Sequence, residues 1–504
     1  MFSWKEFEKV QNVLSQAVSL NYRHQSHQHH VDARPKDFLK LIELLKDDLG
    51  YLTLVDITGV QGEIIYLFLN MGTHQRINVH LLYHPGERVH SIQSYFVHAD
   101  WMERELSERL EVNFDRKMKP LILTGSEKRK PFPPLRYNPN KSETPYPEES
   151  YRWAHYDLWN SQSNGAFEWN VCFDPQRVVT SEVDIGFFHS GLEQKYREKN
   201  WLQVMQLVDE IQPGSSPTYS IAWAKNLEDI YRIKLPERAQ AIRIILLELA
   251  RVNEHLTVLF EVTKALDLNE AVLILNLREK ILELFEKYGG MRIGVGFTRL
   301  GGVREDLPYG WIIEYQGVSQ LIQKNLTLVM NSLLGQPKFK SSLQNDPINA
   351  QTILQWGVSG PAMRASGLNF DLRKSQPFYF YQDIDFDVPV GVHGTSFDRF
   401  LIRYEEILQS LRIMTQVVDN LPLGDIIATE ISEDDIKESK EWHYSSLESP
   451  NGEAGFIQKS GRIKIKTPAF TLAQAIPLLT IGLTAETLKP SLLSLGIRPR
   501  ELDR

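Results

Sequence analysis

The sequence predicts a mixed α+β fold, with a small N-terminal α+β domain over residues 1–125, a connecting strap over 126–158 and a large, mainly helical domain over 159–504. Three observations predict it. Short β-branched and aromatic runs fill residues 51–83, long apolar helical patterns fill residues 236–420, and a stretch dense in proline, lysine, glutamate and serine separates them. At roughly 150 residues per domain, a chain of 504 allows two to four such units.

The elements follow in order. FLKLIELLKDDL, Phe38 to Leu49, spaces its apolar residues as a helix does, and Gly50 stands where that helix should stop. YLTLVDITGV, EIIYLFLN and RINVHLLY read as strands punctuated by glycine and asparagine, and His98 to Leu110 reads as a second helix. After the strap, FEWNVCF and VVTSEVDIGFF read as strands. From Pro236 to Leu266 apolar residues cover most of a helix's circumference, which marks a helix buried inside a bundle. Further helices are expected at Asn269–Tyr288, Trp311–Leu334 and Phe397–Asn420. Thr467 to Ala485, uncharged but carrying two prolines, is expected as a packed strand–turn–helix rather than a membrane span. No repeat of solenoid type is present.

Composition narrows the function. With 42% apolar and 24% charged residues the chain is not disordered throughout, and 56 Lys and Arg against 64 Asp and Glu give a net charge of −8. That leaves no global basic field for nucleic acid or an anionic membrane. The lone cysteine, Cys172, excludes a disulfide framework and any metal cluster ligated by this chain's thiolates alone. MFSWKEFEKVQ carries charges within its apolar pattern and has neither the apolar core nor the cleavage site of a signal peptide, so cytoplasmic residence is expected.

Of the candidate constellations, His24, His27, His29 and His30 could converge on a transition metal, but no carboxylate pattern surrounds them and a solvated N-terminal loop is the expectation. Gly289-Gly290 and Gly301-Gly302 fit neither a dinucleotide fingerprint nor a phosphate loop, and no hydrolase, metalloprotease or kinase signature occurs. What stands out are polar strings between buried helices: Arg299 to Pro308, GVSGPAMRASG (Gly357–Gly367) and DLRKSQPF (Asp371–Phe378). Arginines in such turns suit carboxylates or carbonyls at a seam, and an internal salt-bridge network takes the larger share of that reading.

These strings resemble respiratory complex I, the NADH–quinone oxidoreductase, in its C and D subunits fused in one chain. The D-like part runs from about Asn164 to Arg504. It is carried by PERAQAIRIILLELARVNEHL, LGGVREDLP, GPAMRASGLNFDLRKSQPF, YQDIDFDVPVG, FDRFLIRYEEILQSLRIM, ESPNGEAG and the final LDR. The C-like part, about 24 to 136, is carried by LTLVDITGV, SIQSYFVHADWMERE and PPLR, although the family's aspartate and glycine after ERE are missing from ERELSERLEV.

The resemblance implies a large domain of the nickel–iron hydrogenase large-subunit type with small β elements. It also implies a peripheral-arm subunit, on the cytoplasmic side of the inner membrane, of an NADH:quinone oxidoreductase that acts as a translocase. The implied partners are the cluster-bearing B subunit, other peripheral-arm subunits and membrane-arm subunits, with no nucleic acid. Quinone would enter at the interface, iron–sulfur clusters and FMN would sit in partner subunits, and this chain would bind no cofactor or metal. Cys172 belongs to neither CxxC pair of the hydrogenases, so no nickel–iron centre is implied.

The family's quinone-binding histidine position is Asn164 here, and its tyrosine position falls on Pro213 within EIQPGSS. Asparagine can donate a hydrogen bond but delivers no titrating proton, and proline has no side-chain donor. Asp267 corresponds to the aspartate that partners the lost histidine. Of the cluster-facing positions, the family's arginine is replaced by Ser190 and the helical histidine, His255, is retained. Two alternatives stay open beside ordinary quinone reduction: a ferredoxin-linked or hydrogenase-related membrane complex, and a non-catalytic paralogue whose quinone pocket is lost.

Overall fold

The computed structural model describes residues 22–25, 28–119, 121, 152–157, 167–187, 189, 191–197, 199–293, 296–428 and 439–504. Mixed helix and strand content makes this an α+β chain.

Strands β1 (Tyr22–Gln25), β2 (Gln28–Ala33), β3 (Thr53–Val60), β4 (Glu63–Asn70) and β5 (Gln75–Leu82) form one sheet in the order β1-β2-β5-β4-β3. The β2–β5 pair is parallel and the others antiparallel. Ile77, Val79 and Leu81 alternate along β5 opposite Phe68, Tyr66 and Ile64 of β4, giving the apolar face on which α1 (Pro35–Glu43) lies. Phe38 of α1 meets Tyr66 with ring centroids 4.7 Å apart. The helix expected over Phe38–Leu49 is therefore present in part. It widens into a π-turn over Leu44–Asp48, which keeps adjacent Leu44 and Leu45 both buried, before Gly50 turns left-handed at φ +71°.

The expected solvated histidine loop is instead the β1–β2 hairpin. His30 is buried, with Nδ1 2.8 Å from Nε2 of His80 on β5, whose Nδ1 is 2.8 Å from Glu63. His27 lies outside the described residues.

Arg152–Asp157 is the edge strand β6 of a three-stranded antiparallel sheet with β7 (Glu168–Asp174) and β8 (Arg177–Asp184). The helical part is built round α4 (Glu237–Ala265), flanked by α3 (Thr218–Tyr231), α5 (Glu270–Gly289), α6 (Trp311–Leu334) and α7 (Ser396–Asp419). Helices α4 to α7 lie within two residues of the expected bounds at each end. A meander of β9 (His443–Ser449), β10 (Gly452–Lys459) and β11 (Arg462–Lys466) packs on α3 and is followed by α8 (Pro468–Leu479) and α9 (Ala485–Ser494). The strand–turn–helix expected over Thr467–Ala485 is thus corrected: the strand ends at Lys466, and Pro468 opens a helix where its missing N–H costs nothing.

The N-terminal sheet and the β9–β11 meander meet through charge. Arg76, Asn78 and His80, the polar side of β5, are all buried. Arg76 donates to Glu453 at 2.6 Å and lies over the Tyr444 ring, and Asn78 donates to Gln28, which in turn donates to the Tyr444 carbonyl. Beside them, the His98 ring at the start of α2 (Ala99–Leu110) is 2.8 Å from the carbonyls of both Leu54 and Gln355.

Two buried acids, Glu105 of α2 and Glu193, gather four cations. Glu105 pairs with Lys464, Arg109 and Arg504; Glu193 is reached by Arg109 at 3.1 Å and Arg462 at 2.8 Å. Burial pushes the Glu105 carboxyl up, but Lys464, Arg504 and Arg109 outweigh it and hold the group at about 2. Replacing Glu193 by glutamine leaves Arg109 and Arg462 without that charge and should cost ~3–5 kcal/mol, read as a lowered denaturant midpoint.

Candidate functional site

Every residue of α4 from Ala241 to Thr263 is buried, yet the helix carries Arg243, Glu248, Arg251, Glu254, His255 and Glu261 in that stretch. Each buried charge requires a partner, and the partners come from segments far away in sequence.

At its N-terminal end Arg243 makes two 2.7 Å bonds to Glu228 of α3 and donates to the carbonyls of Arg299 and Gly302. This explains the glycine pair: a Cβ on Gly302 would lie 2.1 Å from the Ile426 carbonyl, so the loop can lie this close only with glycine. The motif serves a close backbone approach to Ile426, and the Gly302 carbonyl beside it accepts from Arg243.

One turn on, Glu248 accepts from Arg373 at 3.1 Å, Tyr381 at 2.6 Å and Ser410 at 2.6 Å. Arg251 donates to Glu248 and to the carbonyls of Glu448 and Ser449. Arg364, from the GPAMRASG string, spans Glu406 of α7 and Glu448 of β9 at 2.8 Å each. Gly360 lets that string approach closely, since a Cβ there would meet the Asn451 carbonyl at 2.5 Å. The Arg364 and Arg373 strings therefore serve an internal ion network, whereas Arg299 and Arg304 donate to carbonyls of their own neighbourhood, Gly296 and Thr298 for the first and Gly289 for the second.

The network continues through His255. Its Nδ1 accepts from Arg403 at 3.0 Å, so Nε2 carries the proton and donates to Glu406 at 2.8 Å. Burial pulls the imidazole down to about 4 against the pull of Glu406, so the ring is neutral at pH 7. Burial raises Glu406, and Arg364 and His255 overcome it, leaving the carboxylate well below its usual range. Arg403 donates on to Asn451, Asn451 donates to Glu254, and Gln212 donates to Glu254 at 3.4 Å. A hydrogen-bonded path thus runs from Glu448 and Arg364 through Glu406, His255, Arg403, Asn451 and Glu254 to Gln212, which precedes Pro213.

Of the site residues expected from sequence, Asn164 and Ser190 lie outside the described residues. Pro213 opens a short 3₁₀ turn, Pro213–Ser215, pressed against α4 where Asn253 donates to the Gly214 carbonyl at 2.5 Å. Asp267 is exposed just past the end of α4, in the left-handed region at φ +57°. About eleven residues of helix, ~16 Å, separate Glu254, beside the Pro213 turn, from Ala265, so the structure does not bring Pro213 and Asp267 together. His255 has both ring nitrogens engaged within the chain and is fully buried. Sequence reasoning missed Glu254, Asn451, Glu406 and Arg403. The available signal was the charge inside a helix apolar nearly all round.

Among the described residues no group of three or more His, Cys, Asp or Glu could hold a metal ion, and no helix is long and apolar enough to cross a membrane.

Two family models match the chain: "Respiratory-chain NADH dehydrogenase, 30 Kd subunit" over residues 31–143 and "Respiratory-chain NADH dehydrogenase, 49 Kd subunit" over residues 268–440. The chain is 28% identical to the NADH-quinone oxidoreductase C/D subunit of Bdellovibrio bacteriovorus, over 94% of this chain and 95% of that one. It is 30% identical to the NADH-quinone oxidoreductase D subunit of Carboxydothermus hydrogenoformans, over 64% and 89%, and 31% identical to the D 2 subunit of Solibacter usitatus, over 60% and 84%.

Two outcomes are expected. Arg364→Leu strands Glu406 and Glu448 and should cost ~3–5 kcal/mol in urea unfolding. His255 is neutral when folded but takes up a proton below ~6.5 when unfolded. Its contribution is therefore complete above pH ~6.5 and is lost as pH falls towards 4, about 3 kcal/mol in all. Urea midpoints at pH 7, 5.5 and 4 should show the loss, and His255→Gln should flatten it.

Proposed function

Because the chain belongs to the family of NADH-quinone oxidoreductase C/D subunits, we propose that it is a peripheral-arm subunit of a complex I-like enzyme and helps form its quinone-reduction site. The observation that carries the reading is the in-order match of the 30 Kd and 49 Kd family models to one chain, whose C/D relative is covered almost end to end.

In this reading the helical part is of the nickel–iron hydrogenase large-subunit type. It packs against a B subunit that bears the terminal iron–sulfur cluster, FMN and the other clusters sit in partner subunits, and this chain binds no redox cofactor. Support comes from the lone buried Cys172, one thiol where a cluster needs several. Membrane-arm subunits bind below, and the complex sits on the cytoplasmic side of the inner membrane. The buried ion network gives the site a rigid wall: the Pro213 turn is tied to α4 through Gly214 and Asn253, and α4 to α7 through His255 and Glu406. Quinone enters beside that turn. By the resemblance Asn164 and Pro213 are pocket positions and Ser190 and His255 cluster-facing ones, while Asp267, the third pocket position it implies, stands apart at the far end of α4.

A second reading is favoured by Pro213 itself, which offers the quinone no side-chain donor where the resemblance places a tyrosine. There the chain keeps its packing and has lost the pocket. One experiment separates the two. The complex purified through this chain should contain cluster- and flavin-bearing subunits and reduce quinone with NADH, blocked by a quinone-site inhibitor. Partners without turnover would give the second reading, and absence of such partners would defeat both.

A further inference from the structure

Helix α6 has a face that the rest of the chain does not cover. Ile313, Gly317, Leu321, Lys324 and Leu328 follow one another at steps of three or four positions, so they share one side of the helix, and all five are exposed. Ile313 is 75% exposed and Leu328 59%. The composition of the helix is equally unlike a solvated surface. At the 24% charged residues of the whole chain its 24 positions would carry about six charges, and it carries two, Glu314 and Lys324. Loss of charge with retention of large apolar groups marks the centre of a protein–protein contact. The apolar surface extends past this helix. α5 runs antiparallel beside it: Glu270 at the start of α5 accepts from Ser332 near the end of α6 at 2.6 Å, and Trp311 at the start of α6 donates to the Leu284 carbonyl at 3.0 Å. At the Glu270 end α5 exposes Val272 and Leu273, and at the other end Tyr309, four residues ahead of Ile313, is fully exposed.

Gly317 narrows what fits on this face. Glycine inside a helix costs stability relative to alanine, and it is useful where something must approach the backbone closely. Gly289 of α5 has such a reason within the chain, since a Cβ there would meet the Phe297 ring at 1.8 Å. Gly317 has none: its Cβ would find no heavy atom of the described residues within 4 Å. The notch lies open in the middle of an apolar stripe, between Ile313 and Leu321, and such a notch admits a second helix to a short interaxial distance. Charge narrows the occupant further. Glu314 is paired with Lys287 of α5, whereas Lys324, between Leu321 and Leu328, has no ion pair among the described residues. The complement is an apolar helix face that carries one carboxylate. A lipid surface fits less well, because a helix lying on an anionic membrane is flanked by several Lys and Arg, and this face has Lys324 alone.

We propose that the α6 face centred on Gly317 is the docking site for an amphipathic helix of a partner subunit. The helix crosses α6 at Gly317, Ile313, Leu321 and Leu328 pack against its apolar side, and an acidic residue of that helix pairs with Lys324. The inference rests on the multisubunit reading above and gives one of its partners a place on this chain.

The test uses the complex purified through the full chain, wild type or carrying Gly317→Ala, Gly317→Leu or Lys324→Glu, with each co-purifying subunit quantified by mass spectrometry. Because a Cβ at 317 meets nothing within the chain, Gly317→Ala and Gly317→Leu should leave the urea midpoint of the full chain alone equal or higher. In the complex, Gly317→Leu should lower retention of one partner subunit roughly tenfold, and Gly317→Ala less. A purely structural role for Gly317 cannot give opposite signs for folding and assembly. Lys324→Glu should also lower retention of that subunit roughly tenfold, and changing the facing acid of that subunit to lysine should restore it. A photoreactive amino acid in place of Leu321 or Leu328 should cross-link to one helix of the same subunit, at residues three or four apart. Wild-type retention in Gly317→Leu, or cross-links only to a second copy of this chain, to lipid, to a segment that is not helical or to nothing, would each overturn the proposal while the complex itself stands. A wild-type chain that brings down no cluster- or flavin-bearing subunit would defeat the underlying reading, and the docking site with it.

Discussion

The structure depends on one constraint: α4 is buried on every side while carrying charge at nearly every turn. A buried ion without a counter-ion costs several kcal/mol, so the fold is complete only when each charge on α4 has been answered. The answers come from α3, the Gly301-Gly302 loop, the Arg373 string, α7, the β9–β10 turn and Arg498. What the sequence presents as scattered polar motifs is, in space, one shell around one helix. Such pairs add little net stability over well-packed apolar residues, and their contribution here is to specify a single arrangement of the segments that bear them.

Much of the frame was legible beforehand. The long helices announce themselves by periodicity, and α6 spans the predicted Trp311–Leu334 without change. Strands β3 to β5 follow their β-branched runs. The failures share a cause. His30 looked like part of a solvated polar segment because nothing local says that His80, fifty residues on, will meet it inside the sheet. The Leu44–Asp48 π-turn and the helix from Pro468 were set by packing that short-range pattern does not encode.

The site was less legible for the same reason. Periodicity marked α4 as buried, but Glu254 or His255 taken singly reads as an ordinary polar residue of a helix, and the partners Glu406, Arg403 and Asn451 lie about 150 to 200 positions away. The alternation on β5 has a similar lesson. Arg76, Asn78 and His80 alternate with its apolar residues yet are buried, where the two parts of the chain hold each other.

The close approach at Gly302 carries a consequence for how such a protein can vary. The Gly302 backbone lies against the Ile426 carbonyl only because it carries no side chain, Arg243 donates to the Gly302 carbonyl, and Glu228 accepts from both Arg243 and the Gly301 N–H. The three are tied together, so a single exchange at any of them leaves a clash or an unpaired group. A bulkier residue at 302 evicts the loop, a neutral one at 228 strands the arginine, and a shorter one at 243 strands the glutamate. Sequence change there must cross a valley of unstable intermediates or arrive as a concerted replacement, so epistasis rather than chemistry limits which substitutions this part of the fold can accept.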